Sequence, residues 1–191
     1  SLARIVRRTL RIHVATLDDN WLVGPAAADP RAHEQARRSF WAFQGRELAL
    51  WRRNAKAWMQ ALHSSDPILI WTTPLCSDQL ALRAFCCFRR VLRPAEPMLT
   101  VLQMGHSDHP MGALLNIRIK AADIRRALAQ AQPLSVLQVQ KLQKDWEKIS
   151  APSPLLAKPL NPSDKEYAFW MELGKHQADF LPSLHQGHLV L

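Results

Sequence analysis

The sequence predicts an α/β fold, a small and mainly parallel sheet flanked by helices, followed by an all-helical carboxy-terminal part. Three observations carry this. Residues 67–73 form a continuous apolar run, which is how a strand reads when both faces are covered. Pro74 ends that run, and from Gln79 the period changes: Ala81, Ala84, Phe85, Phe88, Val91 and Leu92 recur three and four apart, as on a buried helix. After Lys120 only helical spacing is found. The division expected is an α/β domain over 1–120 and a helical domain over 121–191.

Taken in order, residues 1–10 read as the end of a helix, with Arg4, Arg7 and Arg8 opposite Leu2, Ile5, Val6 and Leu10. Residues 10–17 alternate as a strand does, and Asp18-Asp19-Asn20 with Gly24-Pro25 signals the loop after it. The longest helical tract spans 31–62, with Gly45 as the place to divide it. Beyond the 67–92 strand and helix, 98–104 reads as a second buried strand and 113–119 as a weak third. Thr73 before Pro74, or Ser77 before Asp78, can cap the central helix, and Arg89, Arg90 and Arg93 suit its carboxy-terminal end. Helices follow over 122–131 and from Ser135, where Ser135 and Gln138 spell a capping box and Leu134 and Val139 a hydrophobic staple. Ser163 with Glu166 starts the last helix after a proline-rich stretch.

At 191 residues, 48% apolar and 21% charged, the chain belongs to the globular class and not to the disordered one. No apolar run reaches the ~18 residues that cross a bilayer, and residues 1–11 lack the apolar core of a secretion signal. Cys76, Cys86 and Cys87 make no even disulfide framework. The expectation is therefore a cytoplasmic protein with free buried thiols. Net charge is +9, and residues 1–62 hold 11 Lys/Arg against 5 Asp/Glu. Such an excess suits a nucleic acid or an acidic protein surface, although a solvated arginine-rich face explains it as well.

Several stretches together resemble a bacterial family known as domain of unknown function 1835, joined to its companion, domain of unknown function 3658. The residues that carry the likeness are Leu17-Asp18-Asp19 with Gly24-Pro25, Ile70-Trp71-Thr72, and Asp78 to Arg83. For the companion they are Pro133-Leu134-Ser135, Asp145-Trp146-Glu147 and Ser153-Pro154-Leu155-Leu156. Two family features are absent: an opening strand into Gly-Asp-Ser, and an Arg where Ala157 stands. The resemblance implies an α/β amino part and a helical carboxy part, and no activity.

Candidate binding residues are Asp18, Asp19, Trp21, Thr72, Thr73, Asp78 and Arg83, gathered at the edge where strands give way to loops, since open α/β sheets bind ligands there. Turn chemistry explains Asp18 and Asp19, and capping explains Thr73 and Asp78, more simply. There is no Gly-rich phosphate loop and no nucleophile elbow, and His106-Ser107-Asp108-His109 offers too few ligands at metal spacing. No cofactor, metal or catalytic residue is assigned. Around Gln132-Pro133-Leu134 two helices are spaced as in a helix-turn-helix, the second exposing Gln138, Gln140, Lys141, Gln143, Lys144 and Lys148. An ordinary helical hairpin is the simpler account.

The leading expectation is a non-enzymatic protein that binds a protein partner, an immunity-type protein being one form. Nucleic-acid binding through the helical part, at Gln138, Lys141, Lys144 and Lys148, and through the arginine-rich amino part is the alternative, and an enzyme using Asp18, Asp19 and Thr72 is a third.

Overall fold

The computed structural model describes residues 2–12, 14–15, 25–43, 48–73, 76–93, 99–103, 121–151, 183–185 and 188–190. Its elements in chain order are α1 (Leu2–Leu10), α2 (Pro30–Phe43), α3 (Leu48–His63), β1 (Ile68–Thr72) and α4 (Cys76–Leu92). Then come β2 (Leu99–Gln103), α5 (Ala121–Ala129), β3 (Gln132–Pro133), α6 (Val136–Ile149), β4 (Ser183–His185) and β5 (His188–Val190).

The α/β character is there: the described residues are mostly helical and carry a small mixed sheet. Strand β1 pairs in parallel with β2 from Ile68 opposite Leu99 to Thr72 opposite Gln103, with α4 as the crossover between them. Strand β3 then joins β2 antiparallel, Thr100 facing Pro133 and Val101 facing Gln132. A proline is tolerated at that place because an edge strand need not donate at every position. Three strands in the order β1-β2-β3 thus make one parallel and one antiparallel pair. The expected all-helical carboxy part is corrected as well, because β3 and the antiparallel β4–β5 pair both lie in it.

Two further expectations change. Among the described residues β1 has one strand neighbour and sits at a sheet margin. Its residues Ile68, Leu69, Ile70 and Trp71 are half-buried, not enclosed on both faces. Ile68 and Ile70 pack on the core. Residues 10–17 form no strand over their described part. Leu10 still belongs to α1, and Arg11 closes that helix in the left-handed conformation at φ 54, its N–H donating to Arg7 O at 2.9 Å. Glycine is the usual residue for that closure, and a side chain there costs roughly 1 kcal/mol.

Helix α4 is the axis of the core. Ten of its residues are buried, from Cys76 to Arg89, and it packs against α3, β1 and α6. Trp58 of α3 stands edge-on to Phe85 at 5.1 Å and to Phe88 at 6.4 Å. From the other side Trp146 of α6 meets Phe88 edge-on at 5.8 Å. The expected stripe of α6 holds, since Val139 and Leu142 pack on this cluster and Trp146 and Ile149 lie inside it. Its amino end is fixed as the sequence predicts. Gln138 N donates to Ser135 Oγ at 3.2 Å, and Ser135 N donates to Gln138 Oε1 at 2.8 Å. The 31–62 tract forms two helices, parted between Phe43 and Leu48. Asp29 caps the first of them by accepting from Ala32 N at 2.8 Å, with Pro30 at its opening position. Within the described residues no helix is long and apolar enough to cross a membrane.

Candidate functional site

Where β1 hands over to α4, a chain of polar groups joins four of the sequence's candidates. Asp78, in the first turn of α4, turns its carboxylate back to the strand end. Its Oδ2 accepts from Thr73 Oγ1 at 2.7 Å and from Thr73 N at 3.0 Å. This is the favourable place for a negative charge, beside the positive end of the helix. Gln79 Nε2 donates to Thr73 O at 2.7 Å and to Thr72 Oγ1 at 3.4 Å. One turn on, Arg83 Nη1 donates to Gln79 O at 3.0 Å and to Gln79 Oε1 at 3.3 Å. Arg83 Nε then reaches Asp145 Oδ2 on α6 at 3.3 Å. Both ends of that pair are buried, Arg83 to 3% and Asp145 to 7% exposure.

The structure therefore brings together Thr72, Thr73, Asp78 and Arg83, and adds Gln79 and Asp145. Neither addition stands out in a one-dimensional pattern, although Asp145 lies in the likeness to the companion family. Asp18, Asp19, Trp21 and the loop with His106, Asp108 and His109 lie outside the described residues. In the described set no three His, Cys, Asp or Glu side chains are grouped as a metal requires.

The arrangement turns a strand end, starts a helix and ties α6 to it. Thr72 is 2% exposed, so its hydroxyl has no route to a solute in this arrangement. A second polar bridge repeats the pattern lower on α4. Arg90 Nη1 donates to Gln143 Oε1 at 2.8 Å, and Gln143 Nε2 donates to Cys86 O at 3.1 Å. Gln143 is thus buried, contrary to its expected place on an exposed reading face.

Arg89 and Arg93, expected at the carboxy-terminal end of α4, serve the neighbouring helix instead. Arg89 is 3% exposed and donates to Ala61 O, Leu62 O and Ser64 O at 2.9, 3.2 and 2.9 Å. Arg93 donates to His63 O at 2.7 Å. These carbonyls lie at and just past the end of α3, where a helix leaves most of them without an internal partner.

A third cluster pins the segment before α2. His33 Nδ1 accepts from Ala27 N at 3.3 Å, and Trp146 Nε1 donates to Ala27 O at 3.1 Å. Rings of Phe88 and Trp146 stand 5.0 and 5.6 Å from His33. Burial, aided by the nearby Arg37 charge, pushes the His33 pKa down to about 3, so the ring is neutral at ordinary pH. Burial pushes Cys86 up to about 12 and Cys87 up to about 11, which leaves both as unreactive thiols.

On the outer side of α6, Gln138, Lys141, Lys144 and Lys148 are exposed. Val136 and Leu137 join them at 72% and 76% exposure. The turn before α6 contains β3, whose pairing with β2 makes it part of the sheet. Gln138 has its oxygen engaged in the capping box.

No family model, curated protein or solved structure matches this chain.

Proposed function

We propose that this chain is a non-enzymatic binding protein whose ligand is another protein, with the outer face of α6 as its contact surface. The observation that carries this is the adjacent pair Val136 and Leu137, both more than 70% exposed in the first turn of a helix that is held rigidly from within. Trp146, Ile149, Asp145 and Gln143 fix the inner face of α6. The outer pair is thereby presented without the ordering cost that a mobile segment meets on binding. Burying two such side chains in a partner contributes about 1.5–3 kcal/mol each. Lys141, Lys144 and Lys148 add positive charge along the helix, so the complementary partner has an apolar notch beside acidic groups.

An immunity-type protein that covers a toxin is the concrete form of this reading, and a reducing cytoplasm is the compartment that suits three free buried cysteines. Kinship with domain of unknown function 1835 belongs to the same proposal. What supports it is the spacing of Ile70-Trp71-Thr72 and Asp78 to Arg83, which meet at one strand–helix corner.

The test is capture of the partner from the native host with the wild-type chain and with Leu137→Asp. A partner retained by the first and lost by the second is the expected result. Recovery of monomer alone in both cases rejects the reading.

A further inference from the structure

Helices α1 and α5 pack against each other, and between them lies a cleft of about 610 Å3. Arg4, Arg8 and Arg11 line one wall and Arg125 the other, with Ile5 and Thr9 among the remaining lining residues. All four arginines are exposed. The ion pairs of Arg38 with Glu34 and of Arg83 with Asp145 lie on other elements. Four like charges facing one cleft repel each other, and an anion between them reverses that repulsion.

The spacing of the row selects among anions. Arg4 and Arg8 lie one turn apart on one face of α1, and Arg11, just past the end of that helix, lines the same cleft. At 1.5 Å per residue the two helical arginines are ~6 Å apart along the axis. One strand of duplex DNA places a phosphate every 3.4 Å along its axis, so these two alone span about two phosphates. Guanidinium is also the side chain best matched to phosphate oxygens, which it meets with two parallel N–H donors. Arg11 adds an independent sign. It occupies a left-handed helix closure where glycine is the usual residue, and its side chain lines the cleft.

We propose that the α1–α5 cleft binds the phosphate backbone of a nucleic acid, without reading its sequence. Among the described residues no aromatic side chain lines the cleft, and its charged lining is arginine alone, so affinity is assigned to phosphate contacts. The inference is independent of the protein-binding face on α6.

Fluorescence anisotropy of a short labelled DNA duplex, titrated with the full chain over a range of salt concentrations, tests it. With about three to four phosphates neutralised, log affinity falls against log salt with a slope of roughly −3. The triple variant Arg4→Ala/Arg8→Ala/Arg125→Ala binds at least tenfold more weakly at low salt, with a slope closer to zero by about 3. The Lys triple variant at the same positions keeps most of the slope, and shows that charge in this cleft is what is measured should the Ala variant fail to fold. Arg11→Gly weakens binding while leaving the fold intact by circular dichroism. Lys141→Ala/Lys144→Ala, on α6, leaves affinity within twofold. Unchanged affinity in the triple Ala variant, an equal loss in the α6 variant, or binding of inorganic tripolyphosphate without binding of duplex overturns the proposal.

Discussion

Arginine is used in two opposite ways in this molecule. Around α4, Arg83 and Arg89 are 3% exposed and spend their N–H groups on Asp145, Gln79 and the last carbonyls of α3. Arg37 is likewise buried, 5.5 Å from the ring centre of Trp41. Around the α1–α5 cleft, Arg4, Arg8, Arg11 and Arg125 stand in solvent. A buried guanidinium without partners is costly, and Arg83 and Arg89 offset most of that cost with hydrogen bonds to Asp145, Gln79 and the α3 carbonyls, with Arg89 Nε left without one among the described residues. An exposed one costs little and is free to meet a ligand. The difference separates residues that hold the fold from residues available for binding, although their chemistry is identical.

Substitutions sharpen that contrast, and the largest effect is expected where α6 meets α4. Trp146→Ala removes a ring packed on Phe88 and His33 and frees Ala27 O, so chemical denaturation should show a loss of ~3–5 kcal/mol. Arg83→Met strands a buried carboxylate and should cost about 3 kcal/mol or more, much of it recovered in the double variant with Asp145→Leu. Additive losses in that cycle would show that the two side chains act separately.

His33 supplies an acid dependence. It is neutral in the fold down to about pH 3, whereas the unfolded chain protonates it near 6.5. Its contribution is therefore complete above about pH 6.5 and is lost as pH falls from there toward 3, by up to ~1.4 kcal/mol per pH unit. Melting curves of wild type and His33→Phe across that window should diverge in slope. Ser135→Ala removes the cap of α6 and should cost about 1 kcal/mol. Arg8→Ala, on the exposed side, should stay within about 0.5 kcal/mol of wild type.

What the sequence made legible is what period and local grammar encode. The spacing of Ala84, Phe85 and Phe88 marks α4, and Ser135 with Gln138 marks the start of α6. Both are local signals, decided within one or two helical turns. At the candidate site, Thr73 and Asp78 were readable as a strand–helix corner because five residues separate them. Gln79 and Asp145 were not. Asp145 lies 62 residues from Arg83, and no periodicity reports a contact at that separation.

The expectation that Arg89 serves the carboxy-terminal end of its own helix fails because its side chain reaches the end of α3 instead. The alternation over residues 10–17 is too short to outweigh the helix before it, and the left-handed Arg11 leaves no mark in composition. Strand β3 is two residues with a proline, below the length at which any strand pattern exists.

One paired measurement tests the division of labour most directly: denaturation midpoint and duplex affinity, determined on both Arg83→Met and Arg4→Ala/Arg8→Ala/Arg125→Ala. A large drop in stability with the fold's affinity retained for the first, and unchanged stability with at least a tenfold loss of affinity for the second, is the result this account requires. The contradiction would be a triple variant that unfolds early yet still binds, or an Arg83 variant as stable as wild type.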